Sequence, residues 1–209
     1  MEPDLSLEST IAAGLAELGL PIDRSTALAE LSSLVARWAA RINLTAHRTP
    51  EEVARRLVLD ALALGAALPV VPPESLVDLG SGAGFPGLPL AILWPTCQIT
   101  IVDSRERKHH FQRTAIRALE LQNARAAHGR AELLDAKPHH IVVAQAIAQP
   151  AQALQWMRRW AAPDGWLVLP RSDSAPDIAA PAESRFEAIR RYQVPLGGAA
   201  RKLWLGRPA

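Results

Sequence analysis

Along the first 70 positions, apolar residues recur at helical spacing. Leu5, Leu7, Ile11, Leu15 and Leu18 repeat until Gly19 and Pro21 end the run, and a second stretch continues from Ser25 through Leu28, Leu31, Leu34, Val35, Trp38 and Ile42. A third helix carries its own start signal. Thr49 is a suitable N-cap, Pro50 fits the first helical position, and Glu51 and Glu52 fall in the first turn, where the helix dipole favours negative charge. Glu52 also stands four residues before Arg56, the favourable order for an ion pair on one helix face.

At Pro72-Pro73 the pattern changes, which places a boundary between a helical extension, 1–72, and a main domain, 73–209. Short apolar runs now alternate with helical segments. Ser75 to Leu79, Gln98 to Asp103, Ala124 to His128, Ile141 to Ile147 and Gly165 to Leu169 read as strands, with helices after the first, second and fourth and a shorter turn near Ala131. Such alternation predicts a parallel sheet covered on both faces. Tyr192 to Leu196 and Arg201 to Leu205 are joined by Gly197-Gly198, too few residues for a crossover helix, so the chain should finish in an antiparallel hairpin. The expectation is an α/β fold: a Rossmann-like, mostly parallel seven-stranded sheet with a C-terminal hairpin, the plan of class I methyltransferases. Ser172 to Pro181, rich in Ser, Asp, Ala and Pro, reads as a mobile loop.

Composition narrows the classes further. A chain of 209 residues with 49% hydrophobic and 21% charged positions buries a real core as one domain with an appendage, and excludes disorder and a coiled-coil rod. No apolar run is long enough to span a bilayer, because Leu57 to Val71 carries Asp60 and is broken by Pro69. The N-terminus lacks a secretion signal and the single Cys97 cannot close an intrachain disulfide, so we expect a cytoplasmic monomer. The net charge of +2 hides an uneven distribution. Arg105 to Arg117 holds five basic residues against Glu106, and six more follow Glu183. These blocks suit either a phosphate-bearing partner or ordinary solvated faces.

The sharpest chemical feature is Val77-Asp78-Leu79-Gly80-Ser81-Gly82-Ala83-Gly84-Phe85-Pro86-Gly87, which leaves a strand and enters a helix. Glycine admits positive φ and lets a ligand approach without a Cβ in the way, and the following helix start offers N–H groups to an anion. The next strand ends at Asp103, where a carboxylate can accept both hydroxyls of a ribose. A structural turn and a dinucleotide site share this layout. An acid directly before the loop and G-x-G-x-G spacing, in place of G-x-G-x-x-G, favour S-adenosylmethionine.

Asp78-Leu79-Gly80-Ser81-Gly82-Ala83-Gly84-Phe85-Pro86-Gly87-Leu88-Pro89-Leu90, together with Trp38, Asn43-Leu44-Thr45, Arg56, Asp60 and Asp103-Ser104, resembles the bacterial 16S ribosomal RNA guanine-N7 methyltransferases, the RsmG or GidB family. The resemblance covers about residues 28–170. It implies a class I fold with a helical N-terminal extension, S-adenosylmethionine as methyl donor, and 16S rRNA of the small ribosomal subunit as partner. Carried onto this chain, the cofactor residues are Gly80 and Phe85, then Ala131 and Glu132 near the adenine; Asp78, Gly82 and Gln145 join the candidate set, and Asp103 is the ribose partner. Loop N–H groups would hold the methionine end. Arg56, Gln145 and Arg171 are the candidates for work on the substrate. The chain differs from the family at four places, carrying Leu57, His140, Gln145 and Arg171-Ser172, all assigned to the substrate side. A cofactor-binding relative with lost or altered turnover, and a methyltransferase for another RNA or a small molecule, are the alternatives.

Other conspicuous residues have structural readings. His109-His110 and His139-His140 are adjacent pairs whose side chains diverge, with no cysteine or acid at ligand spacing, so we expect no metal. Trp156 and Trp160, four apart, read as a packing stripe, as do Trp38 and Trp204, while Cys97 reads as a small buried hydrophobe.

Overall fold

The structure is a computed structural model that describes residues 6–145, 147–179 and 184–209. Helix α1 (Leu7–Glu17) is capped by the Ser6 hydroxyl and helix α2 (Ser25–Ala39) presents Leu28, Leu31, Leu34 and Val35 to the interior, as their spacing predicts. The third start signal forms a complete capping box. Thr49 accepts the Glu52 N–H, and Glu52 reaches back to the Thr49 backbone at the head of α3 (Pro50–Val53). Two backbone bonds to Glu52, from Arg48 and Thr49, hold its carboxyl below the ordinary value. The helix then widens into a π turn over Ala54–Val58 before α4 (Leu59–Ala66).

The main domain follows as β1 (Ser75–Leu79), α5 (Gly87–Leu93), β2 (Gln98–Asp103), α6 (Glu106–Ala118), β3 (Ala124–His128), β4 (His139–Ala144), α7 (Pro150–Arg158), β5 (Ala161–Ser172), β6 (Ser184–Gln193) and β7 (Ala200–Pro208). These make one seven-stranded sheet in the order β3-β2-β1-β4-β5-β7-β6. Strands β1 to β5 run parallel, and β7 pairs antiparallel with both β5 and β6. The chain reverses direction between β1 and β4, so their carboxyl ends open a crevice at the sheet centre. No helix among the described residues is long and apolar enough to cross a membrane.

Several strand limits differ from the pattern. Strand β4 begins at His139 and stops at Ala144, three residues short of the apolar run that suggested Ile147, because the chain leaves the sheet there. Strand β5 is longer than expected, and β6 ends at Gln193, with Val194 to Leu196 forming the turn. Here the hairpin partner, not the local apolar run, sets the register. Of the loop expected over Ser172 to Pro181, residues 180 and 181 lie outside the described residues; nearby, Asp177 pairs with the buried Lys202 at 2.8 Å.

A continuous cluster of buried side chains joins Ile11, Leu28, Val35 and Leu59 of the extension to Leu76, Ile99, Ile141 and Leu203 of the sheet. The extension therefore shares the main core. Arg190 and Asp60 reinforce the junction: the guanidinium donates to the carbonyls of Ala67 and Leu68, and Asp60 on α4 accepts from Arg201 on β7. On the opposite face α7 packs Leu154, Met157 and Trp160 against Val142, Leu167 and Trp204. Cys97 is fully buried, and that burial pushes its thiol up to about 12, the behaviour of a packing residue.

Candidate active site

The glycine loop is a closed network. Gly80, Gly82 and Gly84 take φ of 72°, 60° and 83°, and this left-handed sequence folds the loop back onto β2. Gly80 and Ser81 donate their N–H groups to the Val102 carbonyl, Gly84 and Phe85 donate to Ser81, and Gly82 donates to Asp103. At the helix entrance Gly87 donates to Asp78 at 2.9 Å, and the Ser81 hydroxyl donates to the same oxygen at 2.8 Å.

This corrects the expectation that loop N–H groups hold the methionine end of a ligand. Those N–H groups already have protein acceptors, and the anion at the start of α5 is Asp78 itself. Asp78 is wholly buried beneath the loop. Its Oδ1 has no hydrogen-bond partner, and burial pushes its pKa up to about 7 against the opposing bonds from Ser81 and Gly87. It shapes the loop from below.

Beside the loop lies a cleft of about 350 Å³, lined by Gly80, Asp103, Ser104, Lys108, Ala131, Glu132, Ile147 and Trp156 among others. Asp103 ends β2 on its wall. One carboxylate oxygen accepts the Gly82 N–H and the other the Arg105 N–H, each at 2.8 Å. An ionised carboxylate offers about four acceptor positions, so two remain for a diol. Gly80 provides close approach at the rim, where a Cβ would collide with Ile147. Ala131 is fixed because its carbonyl accepts the Trp160 indole N–H at 3.0 Å, and Glu132 lies 3.6 Å from Arg130. The orphaned Asp78 oxygen, the glycine rim and the half-used Asp103 suit a ribose-bearing ligand in this cleft.

A second pocket of about 190 Å³ opens on the far side of the loop. Arg56, Leu57, Asp60, Phe85, Gln145 and Arg201 line it, with His47 and Pro86. Phe85 and Gln145, expected at the cofactor, thus sit with Arg56 here. Gly82 lines neither cavity; its N–H holds Asp103 and its carbonyl accepts from the buried Gln112.

Two substrate-side assignments separate from this pocket. Arg171 lies toward the other end of β5, between a pocket of Ala144, Ile147 and Leu169 and one shared with Lys202 and Trp204. His140 lies near the start of β4, bonded to Ser75 at 3.0 Å and 3.5 Å from Glu74, so it belongs to the amino edge of the sheet. A parallel strand sends its first residues away from the carboxyl-end crevice. Only Leu57 and Gln145 of the four family differences line the second pocket.

Two cleft residues escaped the pattern. Trp156 read as packing, yet only Trp160 is buried; Trp156 is half-buried and lines the cleft. Lys108 was one charge in a basic run, and the structure brings its amine to the glycine loop, 3.6 Å from where a Cβ on Gly82 would stand. Its place on the first turns of α6, directly after Asp103-Ser104, was the available signal. The histidines are accounted for locally. His109 stacks on His128 with ring centroids 5.1 Å apart, and His139 bonds Thr100 and the Lys137 carbonyl. Burial lowers the pKa of both His109 and His139.

A sheet in this order, with a glycine loop after β1 and an acid closing β2, defines a class I S-adenosylmethionine-dependent methyltransferase fold. Solved structures agree. A methyltransferase of this dependence from Aquifex aeolicus superposes with a TM-score of 0.56 at 14% identity, covering 75% of this chain and 93% of that one. MtNAS in complex with S-adenosylmethionine superposes at 0.60 with 15% identity, covering 100% of this chain and 86% of that one. The chain belongs to the GidB family, rRNA small subunit methyltransferase G, whose profile matches residues 24–203. Ribosomal RNA small subunit methyltransferase G of Chromohalobacter salexigens is 36% identical over 202 residues, 95% of each chain. The same-named protein of Leptothrix cholodnii is 35% identical over 100% of this chain and 97% of its own. That of Stenotrophomonas maltophilia is 44% identical over a shorter stretch, 65% of this chain and 62% of that relative's length.

Proposed function

We propose that the protein transfers the methyl group of S-adenosylmethionine to N7 of a guanine in 16S rRNA of the small ribosomal subunit, in the cytoplasm. The observation that carries this reading is the pair of cavities flanking one glycine loop at the carboxyl ends of β1, β2 and β4. Family membership supports the substrate class.

When bound, S-adenosylmethionine supplies an electrophilic methyl on a sulfonium. The residues of the chain orient and enclose. Asp103 would take the ribose hydroxyls on its two remaining acceptor positions, and Lys108 is the cation on the same wall for the amino-acid carboxylate. Ala131, Glu132 and Trp156 would border the adenine. Asp78 keeps the loop in shape through Ser81 and Gly87.

Guanine N7 bears an in-plane lone pair and no proton, so transfer requires no general base. Rate then comes from alignment of the acceptor with the methyl group and from exclusion of water. Arg56 is exposed at the second pocket, and Arg105 and Lys108 begin a basic helix beside the cleft. These cations suit the phosphate contacts on which RNA binding largely depends.

Transfer of labelled methyl to small subunits lacking the modification, read by nucleoside mass spectrometry, tests the proposal. Labelled 7-methylguanosine is the expected product. Absence of label in a preparation with confirmed cofactor binding would instead identify a binding protein or a changed substrate.

A further inference from the structure

The second pocket carries a feature that alignment of a methyl acceptor does not by itself require. Leu57 and Phe85 are half-buried apolar side chains on its lining, and beside them stands the carboxylate of Asp60, whose side chain is 14% exposed. An acid this sequestered needs partners, and it has two: Oδ1 accepts the Tyr192 hydroxyl at 3.2 Å, and Oδ2 accepts the Arg201 guanidinium at 2.8 Å. Each oxygen therefore keeps one acceptor position. The adjacent π turn, Ala54–Val58, brings Arg56 and Leu57 to the same pocket, and π turns recur at functional sites.

A carboxylate with two adjacent acceptor positions next to apolar and aromatic walls matches one nucleobase edge. Guanine presents N1–H and the exocyclic N2 amine side by side, two donors for two oxygens, whereas adenine presents an acceptor at its own N1. N7 lies on the opposite edge of the purine and stays unengaged. The pocket is placed to deliver it: Phe85 and Pro86 belong to the glycine loop, and Gln145 stands two residues before Ile147 of the cofactor cleft. Enzymes acting on a base in RNA or DNA commonly draw it from the stack into such a pocket.

We propose that this pocket receives the target base and that Asp60 is the residue that selects guanine, accepting from its N1–H and N2 amine while Phe85 and Leu57 cover the ring. The proposal rests on the guanine-N7 reading above. The competing account is structural, in which Asp60, Tyr192 and Arg201 only tie α4 to β6 and β7. A purely structural acid leaves base preference unchanged.

The experiment uses the intact protein and small subunits rebuilt around 16S rRNA in which the guanine methylated by the wild-type protein, located first by mass spectrometry, is replaced by inosine. Inosine keeps N7 and N1–H and lacks only the N2 amine. We expect the wild type to favour guanine over inosine by roughly tenfold or more in kcat/KM, the worth of one hydrogen bond to a charged acceptor, and Asp60→Asn to bring that ratio close to one. Equal wild-type rates on the two subunits overturn the proposal without recourse to any variant, so a variant that fails to fold does not shield it. A ratio retained in Asp60→Asn also overturns it, leaving the structural account. Label on neither subunit from the wild type would remove the guanine-N7 reading itself, an outcome distinct from both.

Discussion

The Asp103 carboxylate accepts the Gly82 N–H at 2.8 Å, joining the end of β2 to the glycine loop that follows β1. One acid therefore braces the loop and faces the cleft at once. We expect Asp103→Ala to lower S-adenosylmethionine affinity at least tenfold, the rough worth of charged hydrogen bonds, and also to loosen the loop. Asp103→Asn retains one acceptor and should lose less. Isothermal titration of the two variants checks the order, and equal affinities in wild type and Asp103→Ala would move the ribose site elsewhere.

Asp78 predicts a pH dependence of stability. Its folded pKa of about 7 lies above the ordinary 3.8, chiefly because burial penalises the charged form. Between those values the folded state binds a proton that the unfolded state does not, so its stabilising contribution is lost as pH rises through about 7. Asp78→Asn, which cannot ionise, should flatten the change in Tm between pH 6 and pH 8, roughly one unit either side of that midpoint. An unchanged pH slope in this variant would assign the titration to another group.

The two tryptophans of α7 should separate by assay. Trp160 is 2% exposed and bonds the Ala131 carbonyl, so Trp160→Ala should cost about 3–5 kcal/mol of stability, seen in the denaturant midpoint. Trp156 borders the cleft. Trp156→Ala should keep most of the stability and weaken cofactor binding; a loss of stability as large as that of Trp160→Ala would return both residues to the core.

Asn123 carries a buried junction. Its side-chain amide donates to the carbonyls of Ala91, Trp94 and Cys97 at 2.9 to 3.1 Å, closing the turn between α5 and β2. Asn123→Ala should cost about 2–3 kcal/mol because buried carbonyls lose their donor, and Asn123→Asp should cost more by setting a carboxylate against them. Chemical denaturation of both variants measures the difference.

At Gly80, a side chain would collide with Ile147 and the φ of 72° would be strained by any Cβ. Gly80→Val therefore disturbs the loop as well as any ligand space, and loss of cofactor affinity in it should come with reduced stability. A Tm scan beside the titration distinguishes that outcome from a purely local block, in which the Tm stays unchanged.

Much of this protein was determined along the chain itself. Apolar period sets which face an element buries, so the helices of the extension, the parallel strands and the closing hairpin follow from spacing, and so does the glycine loop between a strand and a helix with an acid one strand later. These are relations over a few residues, or between neighbouring strands of one sheet. Partners across the fold obey no local period. Only the folded chain assigned the loop N–H groups to Val102, Ser81, Asp103 and Asp78, divided Gly80 and Asp103 from Phe85 and Gln145, turned Trp156 to the cleft, and sent His140 and Arg171 away from Arg56. Asp60 meets Tyr192 and Arg201 only because α4 packs beside the final hairpin, a contact that spans 132 and 141 residues of sequence. Hydrogen bonds and pockets form where distant segments close on one another, and that closure is a property of the packed core, beyond the reach of any short window of residues.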